Sequence, residues 1–421
     1  MMKHLYNIGI ACYKQLVAMA GHFNAKAHKL AQGQANVFEL LQQHLEPEGG
    51  YTWIHASSLG EFEQGRPLIE ALKRNNPQRR ILLTFFSPSG YEVRKNYSEV
   101  DYVCYLPFDQ PGNARRFIEL VKPTEAIFVK YEFWSNYLHE LKRKNIPTYI
   151  ISAIFRPSQL FFRPYGSFFR DMLKCFTHLF VQDEASRTLL AGIGIDNVTV
   201  AGDTRFDRVM TIRNQAKEYP LIEAFCDNRF IWVAGSSWPE DEALIIQYFN
   251  KRPHQKLIIA PHEIDEKHLQ QIESRLNRPT IRYSQATQEN IRQADCLIID
   301  TFGMLSSIYR YGSMAYIGGG FGAGIHNILE AAVYGIPVVF GPNFKKFREA
   351  RNMLAAGCAF TISQYQPLEQ LMDDLVAHPD KLAAIGKIAS DYFALQAGAT
   401  DIIYKAIYGN TPQEPHNCIP Q

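Results

Sequence analysis

The feature that most constrains this chain is a repeated alternation of short apolar runs with longer amphipathic stretches. This alternation is typical of strand–helix units built around a parallel sheet. In the first half, the apolar runs predict strands at 52–56, 81–85, 103–106, 126–129, 148–151 and 178–181. Helices are predicted between them, for example at 65–74 and 113–121.

The pattern restarts after a polar stretch at 205–228, which contains Pro220 and is the predicted linker. The later runs predict strands at 230–234, 256–259, 296–299, 314–317 and 338–340. A chain of 421 residues exceeds the usual size of one hydrophobic core. We therefore predict an α/β protein with two Rossmann-like, doubly wound domains.

The predicted boundaries follow from these two sets of strands. They give an N-terminal segment at 1–45, a first domain at 46–210, a second at 211–410 and a flexible Pro-rich tail at 411–421. In open α/β sheets, ligands bind outside the carboxyl ends of the strands. The expected site is therefore a cleft between the two domains.

Composition narrows the choice of ligands. The net charge is only +2, so the chain as a whole is not an electrostatic binder of nucleic acid. Its seven cysteines are dispersed, without the paired Cys or Cys/His spacing of a zinc site. No resident metal is therefore expected.

The N-terminal stretch 4–20 is apolar but is interrupted by Asn7, Lys14 and Gln15. A spanning helix needs about 20 predominantly apolar residues, so this stretch is too short and too polar to cross a bilayer. It predicts an amphipathic helix on a membrane surface, with nearby lysines at the headgroups. The alternative is a helix packed on the protein.

A first candidate motif is HASSLGEFEQGRPLIEAL at 55–72, where a strand ends in a Ser/Gly turn and a helix begins. Glu61 lies at this junction. Its carboxylate could simply stabilise the start of the helix, which is worth about 0.3–1 kcal/mol. Alternatively, it is a general base at the mouth of the cleft.

A second motif, MAYIGGGFGAGIHNILEAAVYGIPVVFGP at 314–342, joins a strand to a helix predicted from about Asn327 to Gly335. Glycines allow a phosphate to approach the backbone, and a helix N-terminus offers N–H donors. Glu330 is placed to accept hydrogen bonds from a ribose. Five glycines in seven positions favour a nucleotide-sugar site over a purely structural turn.

Three shorter motifs are weaker alone. Pro261 and His262 end a predicted strand, where the imidazole could contact a nucleotide phosphate or base. The turn at 301–304 could frame a pyrimidine with its backbone groups. Arg205, in the predicted linker, either points into the cleft or is a solvated surface residue.

Taken together, these motifs resemble the 3-deoxy-D-manno-octulosonic acid (Kdo) transferases of lipopolysaccharide assembly. The resemblance runs from about Trp53 to about Gly398. It is carried by WIHASSLGE, TFFSPSGYE, YLPFDQP, YEFWSN, VAGDTRFD, DTFGMLSSIY, GGGFGAGIHNILEAA and GIPVVFGPN.

The resemblance implies a GT-B glycosyltransferase that transfers Kdo from CMP-Kdo to a tetraacylated lipid A precursor. The enzyme would act at the cytoplasmic face of the inner membrane, without a metal. Glu61 matches the family's proton acceptor, and Arg205 matches a residue linked to transition-state stabilisation. The implied CMP contacts are Pro261, His262, Phe302, Gly303, Met304, Asn327, Ile328, Leu329 and Glu330.

The chain departs from the family pattern at three places. Lys130 stands where the family has an acidic residue linked to transition-state stabilisation, and Glu132 is the candidate to compensate. His262 stands where the family has an arginine, and it is a titratable phosphate partner. The N-terminal segment is shorter and less apolar than usual.

Two other functions fit the same pattern. One is a different GT-B enzyme, such as a UDP-sugar transferase or a 2-epimerase. The other is a two-domain binding protein that holds a ligand without reacting, although Glu61 at the cleft mouth favours catalysis.

Overall fold

The computed structural model describes residues 2–227 and 229–409. It contains two compact units, each built around a parallel sheet. The first unit is the described part of Met1–Arg208 and Ala397–Gln421, and the second is the described part of Val209–Gln396. The predicted tail at 411–421 lies outside the described residues.

The first unit alternates strands and helices after three N-terminal helices. Its strands are β1 (Tyr51–His55), β2 (Ile81–Phe85), β3 (Tyr102–Tyr105), β4 (Pro123–Val129), β5 (Thr148–Ala153), β6 (His178–Val181) and β7 (Val198–Val200). Its helices are α1 (Met2–Ala20), α2 (Ala25–Ala35), α3 (Val37–His44), α4 (Leu59–Asn75), α5 (Pro88–Arg94), α6 (Pro111–Val121), α7 (Ser135–Arg143), α8 (Ser167–Leu173), α9 (Glu184–Ala191) and the start of α10 (Arg205–Asn214).

The strands of the first unit pair in the order β3-β2-β1-β4-β5-β6-β7, all parallel. Alternate side chains point to opposite faces of a strand, so Trp53 and Ile54 enter two different cores. Burial on both faces explains why the central strands read as continuous apolar runs. The order reverses between β1 and β4, which defines the switch point of the sheet.

The second unit repeats this plan. Its strands are β8 (Phe230–Ser237), β9 (Gln255–Pro261), β10 (Thr280–Arg282), β11 (Cys296–Ile298), β12 (Met314–Ile317), β13 (Val338–Phe340) and β14 (Ala359–Thr361). Its helices are α11 (Pro220–Phe225), α12 (Pro239–Asn250), α13 (Glu266–Arg275), α14 (Leu305–Ile308), α15 (Leu329–Ala332), α16 (Arg348–Ala356), α17 (Tyr365–Ala377) and α18 (Pro379–Gln396). The strand order is β10-β11-β9-β8-β12-β13-β14, with the reversal between β8 and β12.

The prediction of two doubly wound α/β domains is confirmed. The strands that the sequence did not predict are β7, β10 and β14, which are three residues long and lie at the sheet edges. An edge strand is covered on one side only and needs no apolar run. The predicted linker at 205–228 instead contains α10 and α11.

The N-terminal helix α1 packs on the first unit along one face. Tyr6 donates a hydrogen bond to buried Asp109 at 2.6 Å, and Asn136 donates to Asn7 at 2.9 Å. The ring of Tyr13 stacks on Phe86, just beyond β2, at 6.3 Å. Among the described residues, no helix combines the length and apolarity needed to cross a bilayer.

The C-terminal helix α19 (Ala399–Tyr408) belongs to the first unit, whereas the sequence placed it in the second. Ile403 enters the same core as Phe62 of α4. At the start of α19, Asp207 accepts hydrogen bonds from the N–H groups of Gly398 and Thr400, each at 2.6 Å. A helix predicted by periodicity alone carries no sign of which sheet it will cover.

We expect Asp207→Ala to loosen α19, because it leaves two backbone N–H groups at the helix start without their acceptor. The expected loss is about 1–3 kcal/mol of local stability. Hydrogen–deuterium exchange of the amides of residues 399–408 measures it. Asp401→Ala removes an exposed charge from the same helix and is the matched control. Equal exchange in both variants would contradict the assignment.

Candidate active site

The strand reversal of the first unit brings the predicted residues of this half to one edge. His55 ends β1 and is followed by Ser57, Ser58 and the helix that carries Glu61. Lys130 directly follows β4, the neighbour of β1. Carboxyl ends of parallel strands share one edge, so residues 75 positions apart in sequence come into hydrogen-bonding contact here.

Glu61 is the third residue of α4 and closes a capping box with Ser58. Its Oε2 atom accepts from the Ser58 N–H at 2.9 Å and from the Ser58 hydroxyl at 2.8 Å. Burial, followed by the negative charge of Glu132, raises the pKa of the Glu61 carboxyl above its ordinary value. Ser58, His55 and Lys130 partly oppose this rise.

Glu132 is the opposite case. It is 5% exposed, and its Oε2 atom accepts from the Ser57 hydroxyl at 2.5 Å and the Trp134 indole at 2.6 Å. His55 Nε2 lies 3.1 Å from the same oxygen. Burial alone would raise the pKa of Glu132, but hydrogen bonds and charge from His55, then Ser57 and Trp134, lower it. Glu132 is therefore an enclosed anion held by fixed donors.

Lys130 adopts a left-handed backbone conformation, with φ of 70°. Its N–H donates to Ile151 on β5 at 2.9 Å, and its ammonium lies 5.4 Å from the ring centroid of Tyr131. A non-glycine residue with positive φ is strained and persists where surrounding contacts hold it. Its positive charge acts on Glu61, so the sequence difference at Lys130 gives Glu61 a cationic neighbour.

Arg205 begins α10 and is fixed to the side of α4. Its guanidinium binds the carboxylate of Asp203, with Nη2 at 2.7 Å and Nε at 3.0 Å from Oδ2. Asp203 also accepts from Gln64, which lies one helical turn after Glu61. The structure thus ties Arg205 to the helix of Glu61 through Asp203, a partner that the sequence did not single out.

In the second unit, the glycine motif forms a compact loop after β12. A Cβ atom on Gly318 would lie 2.0 Å from the Ser236 carbonyl oxygen, and one on Gly320 would lie 2.6 Å from Gly341 N. Gly319 and Gly324 have φ of 87° and 131°. Four of the five glycines therefore have a packing or conformational cause, so their number does not by itself indicate a phosphate site.

The helix predicted to begin at Asn327 and end near Gly335 is shorter in the structure. The loop hydrogen bond from His326 N–H to Gly318 O keeps the chain non-helical, and α15 spans only Leu329–Ala332. Asn327 caps it by accepting from the Leu329 N–H at 3.2 Å and donates its amide to Glu330 at 2.9 Å. A four-residue helix carries little macrodipole.

The predicted CMP contacts divide by exposure. The side chains of Pro261, Met304, Ile328 and Leu329 are buried, so these residues could offer a ligand only backbone groups. The exposed residues are His262, Phe302, Gly303 and Asn327, and Glu330 is half-buried. Phe302 is 80% exposed, which is unusual for a phenylalanine. Gly303, with φ of 80°, shapes the turn beside it.

Two residues that sequence reasoning missed lie beside His262. Its imidazole stacks on the ring of Trp238 at 4.8 Å and on that of His326 at 4.4 Å. Trp238 follows β8, His262 follows β9 and His326 follows the β12 loop. These strands are adjacent at the reversal of the second sheet. Trp238 lies four residues beyond the predicted strand at 230–234, because β8 extends to Ser237 in the structure.

Within residues 2–227 and 229–409, no three or more His, Cys, Asp or Glu side chains are grouped so that they could hold a metal ion.

Comparisons with solved structures show the fold. The UDP-GlcNAc 2-epimerase of Neisseria meningitidis aligns with a TM-score of 0.59 and 17% identity, over 86% of this chain and 100% of that one. MurG of Acinetobacter baumannii aligns with a TM-score of 0.54 and 10% identity, over 86% of this chain and 99% of that one. These are GT-B enzymes, so the two doubly wound domains form a GT-B fold.

Sequence comparisons give the family. Residues 27–208 match the profile described as 3-deoxy-D-manno-octulosonic-acid transferase (kdotransferase). The enzyme of that name from Aquifex aeolicus is 29% identical over 354 residues, covering 81% of this chain and 91% of the relative. That of Haemophilus influenzae is 24% identical over 405 residues, covering 93% and 94%.

With its fold and these relatives, the protein is a glycosyltransferase of the GT-B class. Its residues 27–208 carry the domain of the 3-deoxy-D-manno-octulosonic acid (Kdo) transferases, and enzymes of that name are similar to it along most of its length.

The opposite pKa shifts of Glu61 and Glu132 predict opposite effects of pH on stability. A raised pKa means that Glu61 stabilises the fold at low pH and that this contribution is lost as pH rises through its folded value. A lowered pKa means that Glu132 stabilises at neutral pH and loses its contribution as pH falls. Thermal unfolding of Glu61→Gln and Glu132→Gln between pH 4 and 8 tests both.

We expect Glu61→Gln to match or exceed the wild-type melting temperature at pH 7.5, since glutamine can still accept from Ser58. Glu132→Gln should lose about 1–3 kcal/mol at that pH, and less towards pH 4. The two variants serve as controls for each other. Equal losses of stability in the two variants at pH 7.5 would refute the opposite pKa shifts of Glu61 and Glu132.

Proposed function

We propose that the protein transfers Kdo from CMP-Kdo to a tetraacylated disaccharide precursor of lipid A, with inversion at the anomeric carbon. The observation that supports this reaction best is the half-buried carboxylate of Glu61 at the switch point of the first unit. A raised pKa makes the ionised carboxylate a stronger base. The reaction requires such a base for the acceptor hydroxyl.

The donor nucleotide would occupy the carboxyl edge of the second sheet. The exposed face of Phe302 and the backbone of Gly303 and Met304 are suited to a pyrimidine ring, because a flat apolar surface and peptide groups together match a base. Asn327, the peptide groups of Ile328 and Leu329, and Glu330 lie at the start of α15. Pro261 and His262 would contact the phosphate.

The chemical step would break the bond between the sugar's anomeric carbon and the CMP phosphate. Positive charge develops on the sugar ring and negative charge on the leaving phosphate. Fixed cations and N–H groups stabilise such charge when they are already oriented before the reaction. Arg205, held by Asp203, and Lys130, held by its strained backbone, are the cations that we assign to this task.

Glu61 would take the proton from the acceptor hydroxyl as that oxygen attacks. Direct displacement by the acceptor inverts the anomeric configuration. Glu132 would not take over the role of the acidic residue that the family has in place of Lys130. Its carboxylate is enclosed by Ser57, Trp134 and His55. It would act on the base instead, since its negative charge raises the pKa of Glu61. No resident metal has a step in this mechanism.

We expect Glu61→Gln to lower the rate of transfer about 10²- to 10⁴-fold, since general-base catalysis contributes that much. The assay incubates the enzyme with CMP-Kdo and the tetraacylated disaccharide and reads the product by mass spectrometry. CMP affinity should stay unchanged, because Glu61 has no part in nucleotide binding.

Glu63→Gln is the matched control. It lies on the same helix, is half-buried and pairs with Arg94 and Arg208 rather than with the proposed site, and its loss should change the rate within about threefold. Retention of most activity in Glu61→Gln would remove Glu61 from the reaction. Product from a UDP-sugar but not from CMP-Kdo would favour the other GT-B enzyme, and no product from either would favour a binding protein.

We also propose that α1 lies on the cytoplasmic surface of the inner membrane, where the acceptor would be found. The side of α1 away from the core exposes a stripe of large apolar side chains at helical spacing: Leu5, Ile8, Leu16, Met19 and, beyond the helix end, Phe23. Residues 1–38 include four lysines and no acidic residue, which suits anionic headgroups.

The same helix is connected to the Glu61 region through aromatic contacts. Tyr13 stacks on Phe86, whose ring lies 4.8 Å from that of Trp134, a hydrogen-bond donor to Glu132. A membrane-bound helix on this edge would hold the base close to a lipid substrate.

We expect the double variant Leu5→Ser with Leu16→Ser to lose at least about tenfold in binding to vesicles that contain phosphatidylglycerol, because burying each leucine is worth about 1.5–3 kcal/mol. Vesicle flotation measures the loss. Gln15→Ser, which changes an exposed polar side chain of the same helix, is the control. Unchanged flotation of the double variant would refute the membrane proposal.

A further inference from the structure

The Trp238–His262–His326 cluster is the most unusual chemical feature outside the proposed base. His262 is exposed, lies against both other rings, and is the member that a ligand can reach. His326 is half-buried beneath the glycine loop. A Cβ atom on Gly319 would lie 3.1 Å from the His326 ring. Loop and imidazole are therefore packed together.

The protonation state of His326 follows from its hydrogen bond. Trp238 Nε1 lies 3.1 Å from His326 Nε2. An indole N–H can only donate, so His326 Nε2 must accept and cannot carry a proton. His326 is thus neutral, with its proton on Nδ1. Burial, and then the neighbouring His262, lower the pKa of His326, in agreement with this state.

His262 is the member of the cluster whose protonated form the stacked rings would stabilise. A cation over an aromatic face is stabilised by the ring, and a protonated His262 would lie over two such faces. Among the described residues, no carboxylate forms a hydrogen bond with the His262 side chain. Stabilisation of a proton on His262 by a negative charge therefore depends on a ligand that binds beside it.

The charged groups on the elements around the cluster already have other partners. Asp241 of α12 accepts from Gly319 N–H, Trp238 N–H and the Tyr316 hydroxyl.

Four more charged groups lie on or beside the elements around the cluster. Glu242 of α12 accepts from the Ser237 hydroxyl and contacts His268 of α13 at 2.9 Å. Lys346, beside the glycine loop, donates to Ala323 O at 2.7 Å. Glu263 and Asp265 continue the chain after His262, and Asp265 caps α13 by accepting from the His268 N–H.

We propose that His262 takes up a proton when the phosphate of a nucleoside monophosphate binds, and that Trp238 positions His326 as its neutral partner. This inference rests on the proposed donor site. It makes nucleotide binding proton-linked in this chain. An arginine at position 262, which the family usually has, would carry a fixed charge and would not show this linkage.

The linkage predicts that CMP binds more weakly as the pH rises from 7 to 8.5. A phosphate monoester is almost fully doubly ionised over this range, so the ligand's own charge changes little. We expect a loss of roughly threefold or more in affinity, since a histidine near an anion titrates in this window. The released or bound protons can be counted directly.

The experiment is calorimetric titration of the full-length protein with CMP at pH 7.0, in two buffers of different ionisation enthalpy. Wild type should take up a substantial fraction of one proton per CMP. His262→Gln and His262→Arg should take up none, and cytidine, which lacks the phosphate, should cause none in wild type. UMP shares the phosphate, so it should cause the same uptake wherever it binds.

The outcomes separate this inference from the proposed function. CMP binding without proton uptake would overturn the inference and leave the donor site standing. Equal uptake in His262→Gln would overturn the assignment to His262. Failure of CMP to bind would overturn both.

The positioning by Trp238 has its own readout. Nitrogen-15 shifts of the labelled His326 imidazole, assigned with His326→Gln, should show protonated Nδ1 and unprotonated Nε2 in wild type at pH 7. Trp238→Phe keeps an aromatic face but removes the N–H donor, so His326 should show a mixture of both tautomers. Protonated Nε2 in wild type would overturn this part.

Discussion

The reversal of strand order in each sheet is the constraint on which the rest of the structure depends. Between β1 and β4, and again between β8 and β12, the connections leave the sheet in opposite directions. Side chains that follow these strands must therefore meet at one edge. Glu61 and Lys130 come together for this reason in one unit, and His262 and His326 in the other.

The two edges use different chemistry. In the first unit, an enclosed anion, Glu132, is held by three fixed donors and raises the pKa of Glu61 nearby. In the second unit, the indole of Trp238 fixes the protonation of the His326 imidazole, against which His262 stacks.

Much of the fold was predictable because central parallel strands are buried on both faces. The predicted strand at 178–181 and that at 314–317 match β6 and β12 in the structure. The edge strands β7, β10 and β14 were not predictable, since they need no apolar run. The position of α19 was not predictable either, because the apolar pattern of a helix does not indicate which sheet the helix will cover.

The sequence by itself determined the two-sheet plan, the family and the identity of Glu61 as the candidate base, because each depends on local pattern or on motif order. Only the tertiary structure decided that Glu132 is enclosed, that most of the glycines serve packing, and that Trp238 contacts His326. The reason is that pKa values and hydrogen bonds depend on neighbours across 75 to 90 positions of chain, and no local pattern records those.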